Sequence, residues 1–186
     1  MSFENSALVL IDWQKSFRLD LSFWGPRNNP LAQQRAEELT AAWRASGRPV
    51  YIVKHNSLEP KSPLRLDQPG NALEAFAEPR SGEKLYQKTV NSGFIGTDLE
   101  ADLKAAGIRK LVISGVTTAH CVSTTTRMAA NLGFDVTLVE DACYTFATKK
   151  QSGERISAEI MHDTQIAALN QEFATITTAA SLLAGL

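Results

Sequence analysis

Short apolar runs of strand length alternate along the chain with segments whose apolar residues recur at helical spacing. "ALVLID", residues 7–12, is nearly continuous in apolar residues and ends in a carboxylate, as in a strand buried on both faces. "NPLAQQRAEELTAAWRASG" puts Leu31, Ala36, Leu39 and Trp43 on one helical stripe, with Pro30 near its start and Gly47 at its stop. "PVYIVKH" is the second strand, with His55 at its end, and "EKLYQK" a short third strand ending near Lys88. "TDLEADLKAAG" opens with Thr97 and Glu100 in capping-box spacing and closes on Gly107. "KLVISG" is the fourth strand, "SGVTTAHCVSTTTRMAANLG" a turn and helix ending at Gly133, and "DVTLVED" the fifth strand. Residues 154–170 read as a helix, "FATIT" as a sixth strand, and a last helix closes the chain.

Strands alternating with helices imply βαβ units on a parallel sheet. Right-handed crossovers then give an α/β class fold, a three-layer α/β/α sandwich whose six-stranded, mainly parallel sheet takes the common order 3-2-1-4-5-6. Strands one and four are neighbours in that order, and their carboxyl ends flank the crevice where open α/β sheets bind ligands. Asp12 and the turn around Cys121 therefore share one cleft. Residues 57–83 form a long proline-rich stretch without periodicity, and a loop of that length in a small domain is commonly functional or an interface arm.

Composition narrows the classes. A chain of 186 residues accommodates one core, so residues 1–186 are taken as a single domain. A net charge of −1 offers no field for phosphates, which argues against nucleic acid. The opening "MSFENSALVLIDWQ" has neither a basic leader nor an apolar run of membrane-spanning length, so a cytoplasmic protein with no membrane partner is expected. Two cysteines, Cys121 and Cys143, make no disulfide framework.

Cys121, at a strand-to-helix turn, is either a small buried apolar residue or a nucleophile activated by the helix start and a nearby cation. Gly115 and the threonines before it suit a turn whose backbone N–H groups can hold an oxyanion. Asp12 at a strand end needs a partner, and as a base toward a thiol it needs help, since the ordinary pKa values differ by about 4.6 units. Lys88 is the candidate helper, stabilising the thiolate in a coupled trio; Lys84 lies at the opposite end of the same strand. Of the three histidines, His120 is adjacent to Cys121 and poorly placed as its base, His162 reads as structural, and His55 is the rival base. No pair of histidines has zinc-site spacing, and neither a G-x-G-x-x-G nor a Walker loop is present. No metal or other cofactor is expected.

The blocks "ALVLIDWQ", "KTVNSGFIGTDLEADLKAAGI" and "LVISGVTTAHCVSTTTRMAANLGFDVTLVEDA", in that order, resemble the isochorismatase-like cysteine hydrolases. The resemblance implies a catalytic triad carried by Asp12, Lys88 and Cys121, a cis peptide at Val116–Thr117, and an oxyanion hole from the backbone N–H groups of Thr117 and Cys121. Nicotinamidases, which are related, bind a metal through Asp-x-His after the second strand; here that place reads "HNS". The segment after it looks more like the metal-free amidase branch that includes streptothricin hydrolase, although Ala119 stands where many relatives there have aspartate.

The expected activity is therefore cleavage of an amide, lactam or carbamoyl C–N bond in a small molecule, through a thioester. Trp13, Gln14, Phe17, His55, Phe94 and His120 are the expected pocket wall. Two other readings stand beside it: a redox-sensing or ligand-binding protein using Cys121 with Cys143 as partner, and a Cys121–His55 thiol hydrolase. The aromatic "LSFWG", residues 21–25, and the long loop suit contact with further copies of the chain, in a homodimer or larger oligomer.

Overall fold

In the computed structural model, which describes residues 5–186, the first strand explains the architecture. β1 (Ser6–Ile11) is buried along its whole length. Its side chains alternate between two separate cores: Leu8 and Leu10 pack into one, Ala7, Val9 and Ile11 into the other. An apolar run without polar alternation is the signature of a strand covered on both sides.

The short helices α1 (Ser16–Leu19) and α2 (Leu21–Trp24) follow β1, then the longer α3 (Ala32–Ala45). α3 buries Ala36, Leu39 and Trp43 and stops where Gly47 takes φ of 71°, a left-handed turn that glycine enters without Cβ strain. β2 (Val50–His55) and β3 (Lys84–Lys88) lead to α4 (Leu99–Ala105), β4 (Lys110–Val116), a π-helical turn over Thr118–Val122, and α5 (Ser123–Asn131). β5 (Asp135–Tyr144), the two-residue strands β6 (Thr148–Lys149) and β7 (Arg155–Ile156), α6 (Ala158–Leu169), β8 (Thr175–Thr177) and α7 (Ala179–Leu183) complete the chain.

Six strands form one sheet in the order β3-β2-β1-β4-β5-β8, every pairing parallel. α3 and α7 cover one face; α4, α5 and α6 cover the other. The expected sandwich and strand order are both present, with the sixth strand of the sheet numbered β8 because the antiparallel pair β6–β7 lies apart. That hairpin takes the start of what the periodicity assigns to a helix from residue 154. α6 begins only at Ala158, where Ser157 accepts a hydrogen bond from Ile160 N and caps it. The Thr97–Glu100 capping box does not form either. α4 starts at Leu99, Thr97 Oγ1 donates to the Gly93 carbonyl at 2.6 Å, and Glu100 pairs with Lys104.

Two local features place the site. β1 and β4 run side by side with Ile11 opposite Gly115, and a Cβ at 115 would stand 2.5 Å from the Ile11 carbonyl oxygen. Only glycine permits that approach, which sets the end of β1 against the turn that follows β4. The stretch 57–83 is anchored by Asn71, whose Nδ2 donates to the carbonyls of Leu64 at 2.6 Å and His55 at 3.1 Å. That anchor brings Leu64 back over the carboxyl ends of the strands. No helix among the described residues is long and apolar enough to cross a membrane.

Candidate active site

Four strand ends build the site. Asp12 follows β1 directly, with φ of 52°, a left-handed conformation that aspartate tolerates better than most residues. His55 and Lys88 end β2 and β3 and sit opposite each other in register, and Cys121 lies in the turn after β4. Strands are about 4.8 Å apart, so Lys88, two strands away from β1, needs its four-carbon stem to reach Asp12. Its ammonium donates to Asp12 Oδ2 at 2.7 Å and to Cys121 Sγ at 3.3 Å, and lies 3.4 Å from His55 Nδ1. Both members of the ion pair are buried. Asp12 Oδ1 is buried as well and has no protein partner.

An ammonium only donates, so Nδ1 of His55 is its acceptor and the imidazole proton sits on Nε2, facing the Val90 carbonyl. Burial first, then the Lys88 charge, hold the His55 pKa below its ordinary value. His55 is neutral, and committed on both nitrogens.

Cys121 is half-buried. Burial, and after it the negative charge of Asp12, push its thiol well above the ordinary range, while Lys88 pulls the other way with less effect. The expected lowering by lysine is thus present but outweighed, and the resting residue is a thiol. Its sulfur lies 3.8 Å from Asn91 Oδ1. The Val116–Thr117 peptide is cis, and the turn it begins is pinned from behind: Thr118 Oγ1 is 2.9 Å from Nδ1 of the buried His162, and Thr117 Oγ1 is 2.8 Å from His120 Nδ1.

These groups surround a cavity of about 160 Å³. Asp12, His55, Asn91, Thr117, His120 and Cys121 form its polar side; Phe17, Trp24 and Leu64 form its apolar side. Of the expected wall, Phe17, His55 and His120 are there. The other three are elsewhere: Trp13 is in the core, donating to Ser114 Oγ at 3.2 Å, and Phe94 stacks on Phe134 in the opposite core at 6.0 Å. Gln14 is buried and works as a clasp, accepting from His55 N at 3.0 Å and donating to the carbonyls of His55 and Asn71, each at 2.9 Å. Trp24, Leu64 and Asn91 escaped sequence reasoning because loop conformation alone delivers them; only the aromatic run at 21–25 hinted at the first.

A larger concavity of about 630 Å³ lies at the amino ends of β2 and β3, away from the strand ends where open α/β sheets place ligands. Four of its six charged side chains pair with one another, Arg44 with Glu83 and Lys84 with Asp102, and the smaller cavity at the carboxyl ends of the strands is the candidate site.

Asp12, His55 and Cys121 each offer a metal-ligating atom, all within 4.8 Å of one another. The Lys88 ammonium stands among these same donors. A cation is thus already built into the donor set, which does not fit a divalent ion at that centre.

Residues 6–181 match the isochorismatase domain. The chain belongs to the isochorismatase family. Among isochorismatase-family relatives, the uncharacterised YrdC of Bacillus subtilis is 42% identical over 180 residues, covering 97% of this chain and 95% of its own. A family protein of known crystal structure from Chromobacterium violaceum superposes with a TM-score of 0.90 at 45% identity, covering 96% of this chain and 92% of that one. Streptothricin hydrolase of Streptomyces noursei is 33% identical over 146 residues, which are 75% of this chain and 50% of that enzyme. The isochorismatase family is hydrolytic, and amidohydrolases are among its members.

Proposed function

We propose that this isochorismatase-family protein is a cysteine hydrolase of C–N bonds in amides or carbamoyl compounds. The observation that carries the reading is one buried ammonium held between a carboxylate at 2.7 Å and a half-buried thiol at 3.3 Å, beside a cavity.

Asp12 uses its unpartnered Oδ1 to take the Cys121 proton as sulfur attacks the carbonyl carbon. Because the resting group is a thiol, proton removal and attack go together, and the Lys88 charge counts most as negative charge develops on sulfur. The backbone N–H groups of Thr117 and Cys121, in the turn opened by the cis peptide, receive the oxyanion. Asp12 returns the proton to the leaving nitrogen, the C–N bond breaks, and a thioester remains on Cys121. A water then gives a proton to Asp12 as its oxygen attacks the thioester carbon, the C–S bond breaks to release the acid, and Asp12 passes the proton to the Cys121 sulfur, restoring thiol and carboxylate. The kinship with streptothricin hydrolase supports an amide-type bond.

His55 does not suit the role of base, since its Nδ1 faces the ammonium and its other nitrogen the Val90 carbonyl. Cys143 has no exposed surface, which disfavours its service as an exchanging redox partner.

The test is Cys121→Ala against wild type on amides of graded size, following released amine, with mass spectrometry of quenched wild-type turnover. Loss of turnover together with an acyl adduct on the Cys121 peptide is expected. Turnover retained in the alanine variant ends the reading.

A further inference from the structure

We propose that the cavity beside Cys121 selects small, uncharged amides and carbamoyl compounds and rejects those that carry a carboxylate. This rests on the hydrolase reading for the reaction, but its physical basis is the charge and size of the cavity alone.

Charge comes first. Among the lining residues only Asp12 carries one, and it presents a buried oxygen with no partner. The balancing ammonium has nothing left to offer a ligand, since Lys88 is buried and its three N–H bonds point at Asp12, Cys121 and His55. No arginine lines the cavity: Arg18 pairs with Glu74 at 3.0 Å, and Arg27 lies over the Tyr144 ring at 4.4 Å, with its unpartnered Nη1 buried outside the lining. Both lining histidines have pKa values held down by burial, so they bring no positive charge. A ligand carboxylate would lose water without gaining a counter-charge, and would face Asp12 at short range. A neutral carboxamide has no such conflict, and Asn91 and Nε2 of His120 offer it hydrogen bonds.

Size points the same way. About 160 Å³ is roughly the space of five waters and falls short of the ≈ 300 Å³ at which drug-sized sites begin. Phe17, Trp24 and Leu64 give the acyl group a dry wall. A short acyl chain fits that space.

Iodoacetamide and iodoacetate are matched probes, differing only in a neutral carboxamide against a carboxylate. With each, the Cys121 sulfur displaces iodide, so the comparison needs no turnover. Second-order rates at Cys121, read by peptide mass spectrometry, are compared with those of N-acetylcysteine at the same pH. The preference for iodoacetamide should exceed that of the free thiol by tenfold or more, and any smaller excess overturns the proposal. Trp24→Arg, which puts a cation at the half-buried mouth, should bring the preference back toward the free-thiol value; an unchanged preference counts against the charge argument. Turnover separates the two readings. Butyramide should be hydrolysed with at least tenfold higher kcat/KM than succinamate. Equal hydrolysis of both overturns the selectivity and leaves the hydrolase standing, whereas alkylation selectivity without an acyl adduct from any amide removes the hydrolase and leaves the cavity's selectivity.

Discussion

Asp12 gives one carboxylate oxygen to Lys88 at 2.7 Å and keeps the other buried and unpartnered. One oxygen is held by structure while the other is available for proton transfer, an arrangement that a single residue type at a strand end can supply only when a lysine reaches it from two strands away.

Breaking that pair should cost stability as well as chemistry. Lys88→Met leaves a buried carboxylate without its counter-charge, a change worth about 3–5 kcal/mol. Adding Asp12→Asn should recover much of that loss, because two neutral groups replace a lone charge. Urea denaturation of the two single variants and the double variant measures the coupling, with amide turnover absent in all three. A double variant no more stable than Lys88→Met contradicts the pairing.

The titration of Cys121 gives a second prediction. An ordinary thiol has a pKa of about 8.5, and that of Cys121 is pushed well above the ordinary range by burial and by Asp12. Its rate of alkylation by iodoacetamide should keep climbing above pH 9, where N-acetylcysteine has begun to level, and at pH 7 it should be below that of the free thiol. A plateau near pH 8 would mean that Lys88 prevails over burial. Cys143, with no exposed surface, stays silent in the same digest and serves as internal control.

Stability should also depend on pH through the histidines. His55, His120 and His162 are all of the chain's histidines, and burial lowers each below the ordinary 6.5. Below about pH 6.5 the unfolded chain therefore binds more protons than the native one. Their contribution is complete above that pH and is lost as pH falls through the depressed native values. Urea midpoints should drop between pH 6.5 and 5, and His162→Gln should flatten the profile. Turnover should share an acid limb below pH 6.5, because protonated His55 would set a like charge against Lys88; His55→Asn, which keeps an acceptor, should remove that limb.

Gly115→Ala tests how the site is assembled. The added methyl would stand 2.5 Å from the Ile11 carbonyl and 2.6 Å from its Cβ, so backbone must yield. Overpacking of this kind costs about 1–3 kcal/mol, and separation of the two strand ends should lower kcat by tenfold or more. Calorimetry and turnover measure the two effects on one sample. An alanine variant with wild-type kcat would show that Asp12 and Cys121 tolerate the shift.

Much of this architecture was legible beforehand. β1, β2, β4 and β5 announce themselves because strands covered on both faces are largely apolar, and the order of the sheet is the common one for a doubly wound α/β fold. Asp12, Lys88 and Cys121 could be nominated from strand ends and the three sequence blocks. The pocket wall could not, because adjacency to Asp12 does not fix which way a side chain turns: Trp13 and Gln14 face inward to the core and the loop, and Phe94 packs on Phe134. The residues that do close the cavity, Trp24, Leu64 and Asn91, come from segments without periodicity. The hairpin β6–β7 escaped for a similar reason, since two residues per strand leave no pattern to read.

Lys88 belongs to β3, the outermost strand of the sheet, three of whose five residues are exposed. The ammonium that completes the trio is thus delivered by an element held on one side only. A chain whose edge has yet to dock carries a thiol with no cation beside it and a carboxylate with no tether. The trio is thus complete only where β3 is paired with β2, so the integrity of the site reports on the docking of a single edge strand.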